Sequence, residues 1–380
     1  MRIAAESLRT DLDRLFGRKL VPLPLEEVRV TFKDLSRSAG NNLSKAKTKQ
    51  DIKDECLPMQ EEILAGDGVG TPPYRLAFRN HICKTGDPPK SRIIMVSPGE
   101  LAFVEKRWAQ PFTEALIASV HPRPWATGFS WFCDGGQEVL SRFDVHRTLS
   151  LDFSNFDLSS PTWFTRIVFD LIGDSFSMDK RDRSILDGIC RNHMEAVATF
   201  GTRRYRLTGG IRTGSSFTHV IGTLTCILML RYYFGPDVDS LSYGDDCLVN
   251  TRQPVWKVAK WYSENSTFVI SPSKSVRGVH WLGLKLFRRS WILPDSRRRW
   301  AQLFFPDSQR NEDLVALMQS HLINCGNDSM RKDLRQILFD TGNVALAPGL
   351  REQLDFLKLT HAQCGENVLD LDDSLKSCFM

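Results

Sequence analysis

The spacing of apolar and polar positions changes several times along the chain, and each change predicts a different element. Residues 1–17, "MRIAAESLRTDLDRLFG", repeat leucine at helical intervals with charge between them. From there to residue 150 the turns "SAGNN", "AGDGVGTPPY", "GDPPKSR" and "HPRPWATG" predict long loops joining short elements. "RTLSLDF", Arg147–Phe153, is short, apolar and ends in acid and polar residues, as a buried strand would. "SPTWFTRIVFDLIG" then predicts a helix with Ser160 as N-cap, Pro161 at the first helical position and Gly173 as the stop. A second helix is expected over residues 183–200, and "RRYRLT" as a strand entering the glycine-rich "GGIRTGSS".

"FTHVIGTLTCILMLRYYFG" predicts about five turns of mostly apolar helix ending near Gly235. "LSYGDDCLV", Leu241–Val249, predicts a hairpin with a Gly-Asp turn. A helix near "PVWKVAKWYSEN", the loop "SPSKSVRG" and a strand "VHWLGLKLF" follow. From Ser290 onward the pattern is mostly helical, in "SQRNEDLVALMQSHLINCG", "DSMRKDLRQILFDTG" and "LREQLDFLKLTHA". The middle of the chain is therefore expected to be α+β, between a loop-rich front and a helical back.

Composition narrows the class without deciding it. The chain has 380 residues, 42% hydrophobic and 25% charged, with no low-complexity tract, which fits a folded globular protein and excludes a wholly disordered one. No apolar run reaches the ~18 residues of a membrane helix, and the N-terminus has no apolar signal region, so neither a membrane span nor a signal peptide is expected. Nine scattered cysteines without a C-x-x-C pair fit reduced thiols in a cytosolic setting and give no zinc spacing. Cys378 stands one place short of the prenylation pattern. A net charge of +5 says little, but the basic runs "LSKAKTKQDIKDE", "YRLAFRNHICKTGDPPKSR" and "KLFRRSWILPDSRRRW" suit either solvated surface or a polyanion. In the last run Arg288, Arg289, Arg297, Arg298 and Arg299 alternate with Trp291 and Trp300, a composition that can grip an RNA backbone and stack bases or simply face solvent on a helix.

Three carboxylates stand at predicted strand ends: Asp152 after "RTLSL", and Asp245 with Asp246 in the hairpin turn. If those strands are neighbours, the three converge and suit two magnesium ions about 4 Å apart. The tripeptide Gly-Asp-Asp alone arises by chance in roughly one chain in fifteen of this length, so a plain turn explains it equally well. Asp157 follows Asp152 by five residues and can face the same cavity. In "TGGIRTGSSFTH", Gly209, Gly210 and Gly214 allow close backbone approach to a nucleotide or template, with Thr213, Ser215, Ser216 and Thr218 as donors.

Taken in order, these segments resemble the motifs of viral RNA-dependent RNA polymerases, and in detail those of the partitivirus-like group of double-stranded RNA viruses, over about residues 36–287. "SRSAGNNLSKAKTK" is similar to motif G, with Ser38 and Gly40 at the template entrance, and "KTGDPPKSRIIMVSP" to motif F, with Lys84, Lys90 and Arg92 on the incoming triphosphate. "LDFSNFD" resembles motif A, which implies Asp152 as metal ligand and Asp157 as the ribose-facing acid. "GGIRTGSSFT" resembles motif B, with Gly209 and Gly210 toward the template and Thr213, Gly214 and Thr218 at the nucleotide. "SYGDD" resembles motif C, with Asp245 as the principal ligand and Asp246 as its support. "SPSKS" is similar to motif D, making Lys274 the general acid for pyrophosphate in competition with Lys257 and Lys260, and "VHWLGLKL" resembles the primer-grip turn of motif E. Motif B departs from many relatives: Thr213 replaces a Ser, and Gly222 stands where an Asn reads the ribose 2′-hydroxyl. Thr213 or Thr223 is expected to compensate, and His219 and His280 are expected to be packing or surface residues.

The resemblance implies an α+β right-hand polymerase fold with an antiparallel palm sheet: fingers over residues 1–146 with an insertion at 171–206, palm over 147–287, and a small helical thumb over 288–380. It implies two Mg2+ ions on Asp152, Asp245 and Asp246, with Mn2+ as a substitute, and RNA contacts from Arg297 and Arg298. The partners implied are an RNA template, nascent RNA and nucleoside triphosphates, with a viral capsid protein as a further one, in the cytoplasm or within a virion. A reverse transcriptase and a non-catalytic RNA-binding replication factor are the rivals. The acid at position 157, where reverse transcriptases usually carry an aromatic gate, disfavours the first, and the complete aspartate set disfavours the second.

Overall fold

The computed structural model describes residues 1–81, 86, 90–119, 122–129, 138–139, 141–287, 290–292, 300, 303–304, 315, 317–318 and 328–342. They divide between two units, one of Met1–His81, Pro89–Gly128 and Leu149–Arg277, the other of Ile82–Pro88, Phe129–Thr148 and Gly278–Met380. The helices are α1 (Arg2–Phe16), α2 (Cys56–Ala65), α3 (Gly99–Ala118), α4 (Phe156–Ser159), α5 (Thr162–Asp174), α6 (Lys180–Met194), α7 (Thr218–Phe234), α8 (Val255–Asn265) and α9 (Asp328–Asp340). The strands are β1 (Tyr74–His81), β2 (Lys90–Val96), β3 (Thr148–Leu151), β4 (Phe153–Ser154), β5 (Glu195–Phe200), β6 (Arg203–Thr208), β7 (Ser240–Tyr243), β8 (Asp246–Asn250), β9 (Val269–Ile270), β10 (Val276–Arg277), β11 (His280–Trp281), β12 (Leu284–Phe287) and β13 (Ser290–Ile292).

In the first unit α7 is apolar on every side, and a helix of that kind belongs in a core. Its residues from Val220 to Arg231 are all buried. Leu8 and Leu12 of α1, Trp108 and Phe112 of α3, and Phe164 and Val168 of α5 join it in one cluster. Two four-stranded sheets accompany this core, in the orders β2-β1-β5-β6 and β10-β3-β8-β7, and β4 pairs with β9. In the second unit β11, β12 and β13 form an antiparallel sheet, and Leu303, Met318, Leu334 and Leu338 make a small core of their own.

Several expectations hold. Residues 2–16 are helical, α7 ends at Gly235, and the hairpin at 241–249 forms with Tyr243 opposite Asp246. Others need correction. The stretch 183–200 is not one helix: α6 stops at Met194, and "EAVATF" becomes β5, bonded to β6 on one side and to β1 on the other. Pairing between distant segments overrides a local pattern there. Asp179, not anticipated, caps α6 by accepting the Asp182 N–H at 2.7 Å. At α5 the extended N-cap is Pro161 rather than Ser160, and the helix continues through Gly173 to Asp174. "VHWLGLKLF" is a hairpin, turned by Leu282 and Gly283, whose φ values of 45° and 80° suit a tight two-residue loop. Ser290–Ile292 is strand rather than helix. Of the C-terminal helices, the one in "DSMRKDLRQILFDTG" is present as α9; the other two fall largely or wholly outside the described residues.

The loop-rich front also hides a 20-residue helix, α3, with Pro111 inside it. Proline offers no N–H to the carbonyl four residues back. The Leu23 N–H fills that vacancy, donating to Arg107 O at 2.8 Å, so the helix continues without an orphaned acceptor.

Helix α6 is fixed on α2 by a close backbone approach. A Cβ on Gly188 would lie 2.0 Å from Leu64 O. Gly188→Ala is therefore expected to cost about 1–3 kcal/mol through overpacking, read as a lowered thermal midpoint; an unchanged midpoint would contradict this seating of α2.

Candidate active site

Strand β3 lies beside β8, and Cys247 Sγ stands 3.9 Å from Leu151 O, so the end of β3 adjoins the start of β8. Asp152 thereby comes to the same edge as Asp245 and Asp246. Its backbone is held from two directions: its N–H donates to Ser275 Oγ at 2.9 Å, and its carbonyl accepts the Ser271 N–H at 2.8 Å. Lys274, between those serines, places Nζ 3.5 Å from Asp152 Oδ1. Lys257 and Lys260 are exposed on α8, Lys260 pairing with Glu264, as a solvated face should be.

The carboxylate turn rests on α7. Gly244, at φ 61°, donates its N–H to Thr223 Oγ1 at 3.0 Å. Thr223, expected as one of two threonines that compensate for the missing Asn, is at 0% exposure beneath the turn, and its hydroxyl accepts that N–H rather than opening to the site. Gly222 packs on the same turn, where a Cβ would meet Gly244 Cα at 3.4 Å. His219 packs against Tyr243 with ring centroids 4.3 Å apart and lies 3.3 Å from Thr127 Oγ1.

Asp157 reaches the site because Asn155 adopts the left-handed conformation, φ 51°, and turns the chain from β4 into α4. Its carbonyl accepts the Ile211 N–H at 2.7 Å, while Ser160 O accepts from Gly210 at 2.6 Å and Met194 O from Gly209 at 2.8 Å. The glycines of this loop approach the chain's own backbone: a Cβ would lie 2.8 Å from Ser160 O at Gly209 and 1.9 Å from Met95 O at Gly214. Thr213 Oγ1 accepts the Met95 N–H at 2.9 Å, and Thr218 Oγ1 donates to Arg212 O at 2.6 Å.

Ser38 and Gly40 reach the same strand end from the other side. Ser38 Oγ accepts from Arg75 Nη2 at 2.8 Å, and a Cβ on Gly40 would lie 2.5 Å from Ser97 O. Arg92 is exposed on β2 opposite Arg79. Lys90 opens β2, with its side chain outside the described residues, as are Lys84, Arg297 and Arg298. The sequence reading missed Ser271 and Ser275 as holders of Asp152; the clustered serines of "SPSKS" were the available signal.

Asp157 is pushed up to about 6, by burial first and then by the charge of Asp245, with Arg92 opposing. Asp246 is likewise raised to about 6, by burial and then by Asp245 and Asp152. Asp245 is raised mainly by burial and also by Asp152, against its own backbone N–H, Arg92 and Lys274. Asp245 and Asp246 keep access to solvent while protein atoms crowd them, so the destabilised form is the charged one. Hard carboxylate oxygens that repel one another suit Mg2+. Among the described residues no group of three or more His, Cys, Asp or Glu is already gathered to hold an ion.

The family described as viral RNA-dependent RNA polymerase matches residues 79–305, more than half of the chain. The chain is 25% identical over 165 residues to the RNA-directed RNA polymerase of Cryptosporidium parvum virus 1, covering 42% of this chain and 30% of that protein. It is 28% identical over 185 residues to the genome polyprotein of Mengo encephalomyocarditis virus, covering 43% and 7%. The chain thus spans under a third of the length of these curated relatives. The solved Sicinivirus 3Dpol RNA dependent RNA polymerase shares its fold, with a TM-score of 0.70 at 15% identity over 88% of this chain and 81% of that one.

Asp157 supplies a stability test. Its carboxyl titrates at an ordinary 3.8 when unfolded and about 6 when folded, so stability falls as pH rises from about 4 to 6 and stays lowered above that. Asp157→Asn is expected to stabilise the metal-free protein by on the order of 1 kcal/mol above pH 6, the gain vanishing toward pH 4. Thermal melts across that range check it, and a pH-independent change would contradict it.

Proposed function

The chain belongs to the viral RNA-dependent RNA polymerases, and from that premise we propose that it copies an RNA template into RNA by nucleotidyl transfer at the edge where Asp152 meets Asp245 and Asp246. That meeting of carboxylates, beside Asp157 and the glycine loop, is the observation that carries the reading. Asp152 and Asp245 would hold two Mg2+ ions, with Asp246 in support. When bound, such ions lower the pKa of a hydroxyl nucleophile and neutralise phosphate charge; Mn2+ has the same coordination preferences and substitutes.

Arg92, with Lys84 and Lys90, receives the triphosphate. Asp157 meets the ribose together with Thr213, Gly214 and Thr218, and an acid rather than an aromatic gate at position 157 favours ribonucleotides. The primer 3′-hydroxyl attacks the α-phosphate and gives its proton to water, the bond from the α-phosphorus to the bridging oxygen breaks as the new phosphodiester forms, and pyrophosphate leaves. Lys274 gives the departing pyrophosphate its proton, a role supported by its 3.5 Å approach to Asp152. Ser38 and Gly40 face the template, Gly209 and Gly210 shape the loop behind it, and Arg297 and Arg298 are assigned to RNA contact. The activity serves viral RNA replication and transcription in a partitivirus-like setting, in the cytoplasm or within a virion alongside capsid protein. Among the described residues no helix is long and apolar enough to cross a membrane.

Two variants test this. Asp245→Asn is expected to abolish primer extension with Mg2+ while leaving the melting curve and RNA binding as in the wild type; retained extension would refute the assignment. Lys274→Ala is expected to lower kcat about 100-fold with little change in nucleotide KM, and a change confined to KM would remove the proton-donor role.

A further inference from the structure

We propose that Glu105 is a positioning residue for nucleotide selection, holding the glycine loop in the conformation that presents Thr213 and Thr218 to the incoming nucleotide. The proposal deepens the polymerase reading and rests on it.

A loop carrying Gly209, Gly210 and Gly214 has wide backbone freedom unless something restrains it. Its first half is tied to α4 and β2, through the Ile211 N–H on Asp157 O and the Met95 N–H on Thr213 Oγ1. Its second half is tied to α3, through the Ser216 hydroxyl on Ala102 O at 2.9 Å and, chiefly, through one side chain. Glu105 Oε2 accepts the Ser215 hydroxyl and the Ser216 N–H, both at 2.8 Å. Oε1 faces His193 Nε2 at 3.0 Å. His193 Nε2 also stands 3.1 Å from Ser215 Oγ, which in turn accepts the Phe217 N–H at 3.0 Å. One carboxylate thus gathers residues 215–217, from which α7 starts at Thr218.

Packing does not explain an acid here. Glu105 and His193 are both at 0% exposure, and the face of α3 that carries Glu105 is otherwise Leu101, Ala102, Trp108, Ala109 and Phe112, all buried. Burying a carboxylate is costly unless its oxygens are used, and here both are. The imidazole is tolerated even with its Nδ1 buried and without a hydrogen-bond partner. Both features are accounted for if the gain is a defined loop. Helix α3 also begins just after β2, the strand that carries Arg92. Glu105 therefore sets the sugar side of the site on the same scaffold as its triphosphate side.

The experiment compares wild type, Glu105→Gln and Ser215→Ala by hydrogen exchange of amides 209–217 and by steady-state incorporation of ribo- and deoxyribonucleotides on a primed RNA template with Mg2+. Expected in both variants are exchange of the loop amides faster by at least ~10-fold with α3 and α6 unchanged, ribonucleotide KM raised about 10-fold with kcat within about 3-fold, and weaker discrimination against deoxyribonucleotides. A lowered melting temperature with loop exchange, KM and discrimination unchanged would reduce Glu105 to a packing residue and overturn the proposal. If Glu105→Gln does not fold, Ser215→Ala, which removes one hydroxyl, decides. If the wild type does not polymerise, the functional reading fails on its own, and loop exchange still judges the positioning role.

Discussion

The carbonyls of Met95 and Ser97, at the end of β2, admit no side chain at Gly214 or Gly40, and most of the site's geometry follows from that exclusion. A Cβ would lie 1.9 Å from Met95 O at the first glycine and 2.5 Å from Ser97 O at the second. Two segments distant in sequence can therefore close on one strand end, backbone against backbone. Arg92 lies three residues before Met95 on that strand, Thr213 is hydrogen bonded to it, and α3 departs just beyond. Packing at this separation acts as a steric ruler, because interiors are too dense to absorb even an added methyl without displacement.

The carboxylates obey a different constraint. Asp157, Asp245 and Asp246 are all raised by burial and by charges of the same sign, opposed by Arg92 at Asp157, and by its own backbone N–H, Arg92 and Lys274 at Asp245. Such an arrangement is unfavourable in the isolated chain and becomes favourable when cations enter. The supports around it are correspondingly rigid. Thr223 fixes the turn from below, Ser271 and Ser275 fix Asp152 from the side, and α7 beneath is closed to water. The backbone that bears these carboxylates is hydrogen bonded at Asp152 and at Gly244.

The hairpin at Gly244, the aspartates around it and the glycine loop were legible because each is a local signal: a turn dipeptide, a strand ending in acid, a run of small residues. The reason for the glycines was not legible. Their neighbours Met95, Ser97 and Ser160 lie far from them along the chain or across a helix, and only the fold brings them into contact. Strand β5 was misread because what makes it a strand, six residue pairs with β6 and two with Tyr74 and Arg75 more than a hundred residues earlier, is not a property of its own spacing. Helix α3 was masked by Pro111, whose missing donor is replaced by a residue some ninety positions away. Thr223 looked available to a ribose because spacing along a helix gives its face but not which bond its hydroxyl makes.

Register gives the basic run "YRLAFRNHICKTGDPPKSR" a common face, shared with a second segment, that the sequence alone does not display. Arg79 stands opposite Arg92, Arg75 beside Thr199, Thr199 opposite Arg204, and Val197 opposite Arg206. Side chains directly opposite one another share a face, so Arg75, Arg79, Arg92, Arg204 and Arg206 all project from one side of the β2-β1-β5-β6 sheet. Phe78, Ile93, Phe200 and Tyr205 occupy the other side, and Phe78 meets Phe200 edge to face at 5.3 Å. Glu195, on the same face, pairs with Arg206. Guanidinium groups that share a face suit phosphate, which each can bind through two N–H donors. The misassigned strand is what completes this surface: with residues 195–200 helical, Arg204 and Arg206 would have no strand on which to join Arg92.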